Sequence, residues 1–358
     1  MTAKRIIISD FYPMRKLEDY HCDTLTVVAV ARHAFLPELN PFNYEIGTFS
    51  INFDYDHQQL VPVEKINNSN LRIWGDFNYL FELQPDNDYS EILKKNFGLN
   101  YIKNKVEGID LYIRRLEEHL RAGSPVIACC NSYHLHYTEY YQNTPGGMFQ
   151  AYHHIVVYGI SREDNKVWIY DPTLTNYYGT IPLDRFTKAL EDEKGIDIFE
   201  GLIYYMLEYD GKEFRDINRE LLLWALDYYL DKRKEQVKEK LLLFFNDFIY
   251  YYDNFSSGEF KNKLLEFGFF IFRGLALRRQ HWCDFFQYYK NLEDIRHIQE
   301  EIDAFLANTD KLFSIANTLY SYTLKDKKNL KLGKLMDKLA LIGDKEERIF
   351  RSLYDKIK

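Results

Sequence analysis

The spacing of apolar and polar residues changes once along this chain, near Gly211. From residue 213 to the C-terminus there is no proline, and apolar residues recur at helical spacing. The clearest segments are Leu221–Leu230, Lys240–Tyr252, Phe260–Ala276, His281–Tyr289, Ile295–Phe305 and Lys334–Leu353, which together predict a helical bundle. Before Gly211 helix and strand signals alternate. Gly108–Arg121 is an amphipathic helix with Ile109, Tyr112, Ile113, Leu116 and Leu120 on one stripe, closed by Gly123 and Pro125. A short apolar strand, Pro125–Cys130, follows it. A polar and aromatic loop then runs from Asn131 to Gln150. Residues 153–160 and 166–171 read as two strands of a hairpin, and Gly201–Tyr209 as another strand. Thr180–Leu190 reads as a turn into a short helix, and residues 40–90 as short strands and long loops. Asp23–Ala34 is ambiguous: Leu25, Val28, Ala29 and Arg32 suit a helix, while Thr24, Thr26, Val27, Val28 and Val30 are β-branched. Asp23 and Thr24 resemble a helix entrance, so a buried helix is predicted. The pattern gives an α+β domain over residues 1–210 and an all-helical domain over 211–358.

Composition narrows the class. A chain of 358 residues exceeds one ordinary core, and 46% hydrophobic with 28% charged residues describes a folded globular protein. Thirty Tyr and 26 Phe supply aromatic core, with Tyr also suited to pocket walls. A net charge of −8 excludes a general nucleic-acid surface. Between Lys325 and Lys358, however, eleven Lys and Arg face six Asp and Glu, a local net of +5. That excess is either a solvated helix face or a dock for an acidic protein. The four Cys form no Cys-x-x-Cys pair; Cys129 and Cys130 lie in the apolar strand and Cys283 in an aromatic helical run. His134, His136, His153 and His154 lack the companions of a zinc motif, and Gly146-Gly147 lacks the Lys-Ser/Thr of a phosphate loop. Neither a metal nor another cofactor is expected. With no leader-like N-terminus and no membrane-length apolar run, a reducing cytoplasm is expected, where Cys22 stays a thiol.

The chemistry is concentrated in the hairpin. His153 opens its first strand and Asp171 closes its second, so antiparallel pairing brings a carboxylate to an imidazole. Base and orienter then require a nucleophile, and Cys22, at a helix entrance, is the candidate. Because alternate strand residues face opposite sides, His153 and His154 compete for the base.

A resemblance bears on that choice. His153–Gly159 resembles the signature of papain-like and bacteriocin-processing cysteine peptidases, in which the catalytic His stands six residues before the Gly; this selects His153. Asp171-Pro172, Gly179-Thr180 and the helix from Pro182 resemble the continuation of the bacteriocin-processing type. A closer likeness is to the butirosin-biosynthesis acyltransferase family. Its motifs are matched in order by His21-Cys22-Asp23-Thr24-Leu25, Gly123-Ser124-Pro125-Val126, the segment Asn131-Ser132-Tyr133-His134-Leu135-His136-Tyr137, and His153, over about residues 20 to 210. The chain departs from these patterns at Asn131, where that family has Asp, at His136, where it has Pro, and at Lys16, where papain-like peptidases have Gln. The likeness implies a papain-like N-terminal domain with a helical C-terminal region. It further implies that Cys22 takes an acyl group from an acyl- or peptidyl-carrier-protein thioester, and that His153 and Asp171 assist its transfer to an amine. Tyr133, Tyr137, Asn131 and His154 would line the substrate site, and the oxyanion would meet the Cys22 N–H and a second donor not identified. The amide-forming enzymes of closthioamide assembly are similar. A peptidase or thioester hydrolase with the same triad, and a non-catalytic binding protein on the same fold, are the alternative readings.

Overall fold

The computed structural model describes residues 5–14, 22–48, 50, 55, 89–138, 141–142, 152–173, 176–192, 201–231, 237–293, 296–324 and 330–358. The chain divides into two compact units: Met1–Tyr44 with Tyr89–Glu213, and Glu45–Asp88 with Phe214–Lys358. The boundary near residue 213 lies close to the change of pattern. Residues 45–88, read from sequence as part of the first domain, fall in the second unit.

The first unit is built on one antiparallel sheet. Its strands are β1 (Ile6–Ile7), β2 (Leu99–Val106), β3 (Val126–Asn131), β4 (Tyr152–Ser161), β5 (Lys166–Asp171), β6 (Tyr177–Pro182) and β7 (Leu202–Tyr209). The spatial order is β2-β7-β3-β4-β5-β6, with β1 also pairing β4. Helix α1 (Cys22–Ala34) packs against β4 and β3. Thr24 through Ala31 are all buried, so this helix has no polar face to give it a clear period; that is why β-branched residues dominate it. Thr26 Oγ1 donates to the Cys22 carbonyl at 2.8 Å, returning its hydroxyl to the backbone. The amphipathic helix, α4 (Ile109–Arg121), buries Tyr112, Ile113, Leu116 and Leu120. Between them lie α2 (Pro41–Gly47) and α3 (Tyr89–Phe97), and α5 (Leu183–Glu191) follows β6.

The predicted hairpin is β4–β5, with Val156 opposite Tyr170 and Val157 opposite Ile169, and a register shift between Val157 and Gly159. A Cβ on Gly159 would stand 3.0 Å from the Ile6 carbonyl oxygen and 3.2 Å from Trp168 Cβ. Glycine therefore lets β1 and β5 close on β4 together.

Several elements differ from the sequence reading. Thr180–Pro182, read as the start of a turn, belong to strand β6, because Lys166 to Asp171 pair with Pro182 to Tyr177 along their length. Within residues 40–90, α2 is helical where strands and loops were expected, and most of the remainder lies outside the described residues. α3 and β2 were not predicted. β2 is an edge strand with mostly partly exposed positions, held through eight pairs to β7, so its alternation of apolar residues is weak.

The second unit contains α6 (Ile217–Leu230), α7 (Val237–Asn254), α8 (Gly258–Glu293), α9 (Gln299–Thr323) and α10 (Leu332–Ile357). Two predicted segments, Phe260–Ala276 and His281–Tyr289, are one 36-residue helix, α8. The polar run between them misleads because Arg279 points inward. Its guanidinium grips Glu346 of α10 in a fork, Nε to Oε2 at 2.6 Å and Nη2 to Oε1 at 2.9 Å, with both side chains buried. The start of the predicted segment Ile295–Phe305 lies outside the described residues. Among the described residues no helix is long and apolar enough to cross a membrane.

Candidate active site

Cys22 is the first residue of α1 and is half-buried. A helix N-terminus presents amide groups without intrahelical acceptors and the positive end of the dipole, both favourable to a thiolate. Its sulfur stands 3.8 Å from His154 Nδ1. Burial pushes the thiol pKa up, but hydrogen bonding and charge from His153 and His154 outweigh it and bring the value down to about 5.

His153, on β4, is buried, and its Nε2 meets Asp171 Oδ2 of β5 at 2.8 Å. The strand pairing explains the meeting. Val157 faces Ile169, and counting by two along each strand puts His153 and Asp171 on one face. It is thus His153 that the carboxylate holds, and with Nε2 engaged its Nδ1 is left for the sulfur. Burial opposes charge on this imidazole, yet Asp171 and then Cys22 raise its pKa to about 10. Thiolate and imidazolium therefore stabilise each other.

Asp171 is fully buried and takes four hydrogen bonds. Oδ2 accepts from His153 and from the Tyr137 hydroxyl at 3.1 Å. Oδ1 accepts from the Thr173 backbone N–H at 3.1 Å and its hydroxyl at 2.8 Å. Burial alone would raise the carboxyl pKa, but the charge and hydrogen bond of His153, then Thr173, lower it. A buried carboxylate so satisfied is a fixed acceptor for one imidazole tautomer.

The remaining residues expected at the site separate into different roles. Tyr137 is half-buried; its ring stacks on Tyr177 with centroids 4.0 Å apart, and its hydroxyl serves Asp171. Tyr133 is half-buried, with its ring edge-on to His134. Asn131, expected to touch substrate, is fully buried. Its amide donates to the Asp192 carbonyl at 2.9 Å and accepts from the Tyr133 backbone N–H at 2.9 Å, so it ties the end of β3 to the chain after α5. His154, also expected at the substrate site, lies at the sulfur itself. His134 pairs with Asp192 at 2.7 Å. Among the described residues no group of three or more His, Cys, Asp or Glu could hold a metal ion.

Sequence reasoning missed Thr173 and Tyr177. The first had a signal: Asp followed two positions later by Thr is a turn in which the carboxylate caps the next backbone N–H. Tyr177 had none, since its strand was not predicted. Cys130 lies opposite His153 across β3–β4 but is buried, and burial, Asp171 and Cys129 push its pKa well above the ordinary thiol value. It is a packed thiol, not a nucleophile.

The α+β frame thus sets a thiol at a helix start against imidazoles, one of them bound to a buried carboxylate. Residues 21–172 match the family model described as Butirosin biosynthesis protein H, N-terminal. The matched segment, which is similar to that domain, begins one residue before Cys22, ends one after Asp171, and takes in less than half of the chain. No curated protein matches the sequence.

Proposed function

We propose that the protein is a cysteine-dependent acyltransferase that forms amide bonds in antibiotic or other specialised-metabolite biosynthesis. One observation carries this reading: a thiol at a helix start, lowered to about 5, beside an imidazole fixed by a four-fold hydrogen-bonded carboxylate. The family match over residues 21–172 supports the biosynthetic setting.

In the first half-reaction the Cys22 thiolate attacks the carbonyl carbon of a carrier-protein thioester. The carrier's C–S bond breaks, and its sulfur leaves with the proton held on His153. In the second, an amine attacks the acyl-enzyme and gives a proton to the now neutral His153. The C–S bond to Cys22 breaks, which releases an amide and restores thiolate and imidazolium. Asp171 holds His153 in one orientation through both steps. The carrier is an acidic protein in this proposal, and the net +5 of residues 325–358 supports such a partner.

The test is to supply an acyl-carrier thioester with and without amines and to analyse the products. Amide formed in excess of free acid at millimolar amine supports the proposal. Free acid alone, at a rate indifferent to amine, assigns the triad to a peptidase or thioester hydrolase. Full biological activity of Cys22→Ala would leave only a binding role.

A further inference from the structure

Attack on a thioester places negative charge on the carbonyl oxygen, and that charge must be met by donors fixed in advance. Cys22 supplies one: as the first residue of α1 its backbone N–H has no intrahelical acceptor. A single donor is a weak cradle. Of the polar groups near the sulfur, His153 is committed to Asp171 through Nε2 and to the nucleophile's proton through Nδ1. Among the described residues His154 is the other imidazole at the sulfur, and its side chain leaves β4 on the opposite face, across from Cys129.

The distance fits an oxyanion role. The oxyanion forms one carbon away from the sulfur, roughly 2.7 Å from it, and is best served by donors about 2.7–3.1 Å from its own position. A nitrogen 3.8 Å from Sγ leaves room for an oxygen that meets both conditions. The ring is also held: it stands perpendicular to Tyr205 with centroids 5.8 Å apart.

We propose that the Nδ1–H of His154 is the second oxyanion donor, acting with the backbone N–H of Cys22. The inference rests on the acyl-transfer reading above. As the Cys22 S–C bond forms, the carbonyl π pair moves onto oxygen, which accepts hydrogen bonds from these two N–H groups. When the carrier's C–S bond breaks, the pair returns to C=O and both hydrogen bonds relax; His154 transfers no proton. Its ionisation is consistent with a donor: burial opposes charge on the ring, but Cys129 and Cys22 raise its pKa well above the ordinary imidazole value.

The experiment compares two reactions of one thiol. Alkylation by iodoacetamide requires the thiolate but generates no oxyanion, whereas acylation by an N-acetylcysteamine thioester requires both. Both are followed by intact mass at a pH where Cys22 is ionised in every variant. For His154→Ala the expected result is alkylation within a few-fold of wild type and acylation slower by roughly 10²–10³, the usual cost of losing one such donor. His154→Gln, which keeps an N–H, is expected to recover at least about tenfold of that loss. His154→Phe, which keeps a ring beside Tyr205, serves as the second deletion should the alanine variant unfold. Equal losses in alkylation and acylation, undiminished acylation in the deletions, or no recovery with Gln would each overturn the assignment. A wild-type protein that alkylates but never acylates would instead sink the acyltransferase proposal, so the two failures are distinguishable.

Discussion

Asp171→Asn is the sharpest perturbation of the relay, because every neighbour of that carboxylate is a donor. Nε2–H of His153 and the Tyr137 hydroxyl point at Oδ2, and the Thr173 N–H and hydroxyl point at Oδ1. An Asn amide nitrogen must face one pair or the other. Turned towards His153, it forces the imidazole proton onto Nδ1, the tautomer that cannot take a proton from Cys22; a comparable tautomer error in a serine protease costs about 10⁴ in turnover. Turned towards Thr173, it opposes a backbone donor and leaves it unsatisfied, which costs about 1–3 kcal/mol of stability. Either way the negative charge that lifts His153 to about 10 is gone while the burial that depresses it remains. Cys22 then loses the His153 imidazolium and keeps only His154, and its pKa climbs from about 5 in the direction of the ordinary 9.0. A pKa of 9.0 is the upper bound while His154 remains; there the thiolate fraction at pH 7 is about 1% against about 99% in wild type, so the loss is at most roughly a hundredfold. The assay is the rate of iodoacetamide alkylation of Cys22 as a function of pH, read by intact mass. Wild type is expected to rise through a midpoint near 5 and then stay level, because Cys22 is ionised above that value while His153 keeps its proton up to about 10. The variant's midpoint is expected to move up by several units. A folded Asp171→Asn protein with an unmoved midpoint would refute the claim that the His153–Asp171 pair sustains the thiolate.

Three further outcomes follow from the same structure. Tyr137→Phe removes one of the four donors to Asp171 but keeps the stack on Tyr177, so single-turnover acylation should fall about fivefold, the equivalent of about 1 kcal/mol, with little change in melting temperature. Glu346→Ala leaves Arg279 charged and unpaired inside the helical unit and should cost about 3–5 kcal/mol in urea unfolding. The double replacement Arg279→Met with Glu346→Leu should cost far less. Gly159→Ala puts a methyl 3.0 Å from the Ile6 carbonyl and should destabilise the first unit by about 1–3 kcal/mol, measured by thermal unfolding.

Much of the site was legible because strand alternation is a strict rule. Once residues 153–160 and 166–171 were read as a hairpin, the meeting of its two ends followed. Which histidine Asp171 holds did not follow from period alone, and the resemblance pointed to His153, the one the carboxylate bonds. The helix carrying Cys22 was legible only through its entrance residues, since a helix buried on all sides has no amphipathic stripe. What escaped was set by partners distant in sequence. The tie that the Asn131 amide makes between Asp192 and Tyr133 could not be read from the sequence. The run containing Arg279 looked like a break between helices because its partner, Glu346, lies 67 residues away. β2 and β6 carry too weak an alternation to be read without β7 and β5 beside them. The sequence put His153 and His154 in competition, and the structure brings His154 to the sulfur as well.

The central claim is that Cys22 carries the acyl group between donor and amine. Intact mass spectrometry of the protein exposed to a panel of acyl thioesters tests it most directly. The expected result is a single adduct of acyl mass on Cys22, absent in Cys22→Ala and discharged as amide when amine is added. A reduced, alkylatable Cys22 that takes no acyl group from any aliphatic, aromatic or aminoacyl donor would contradict it.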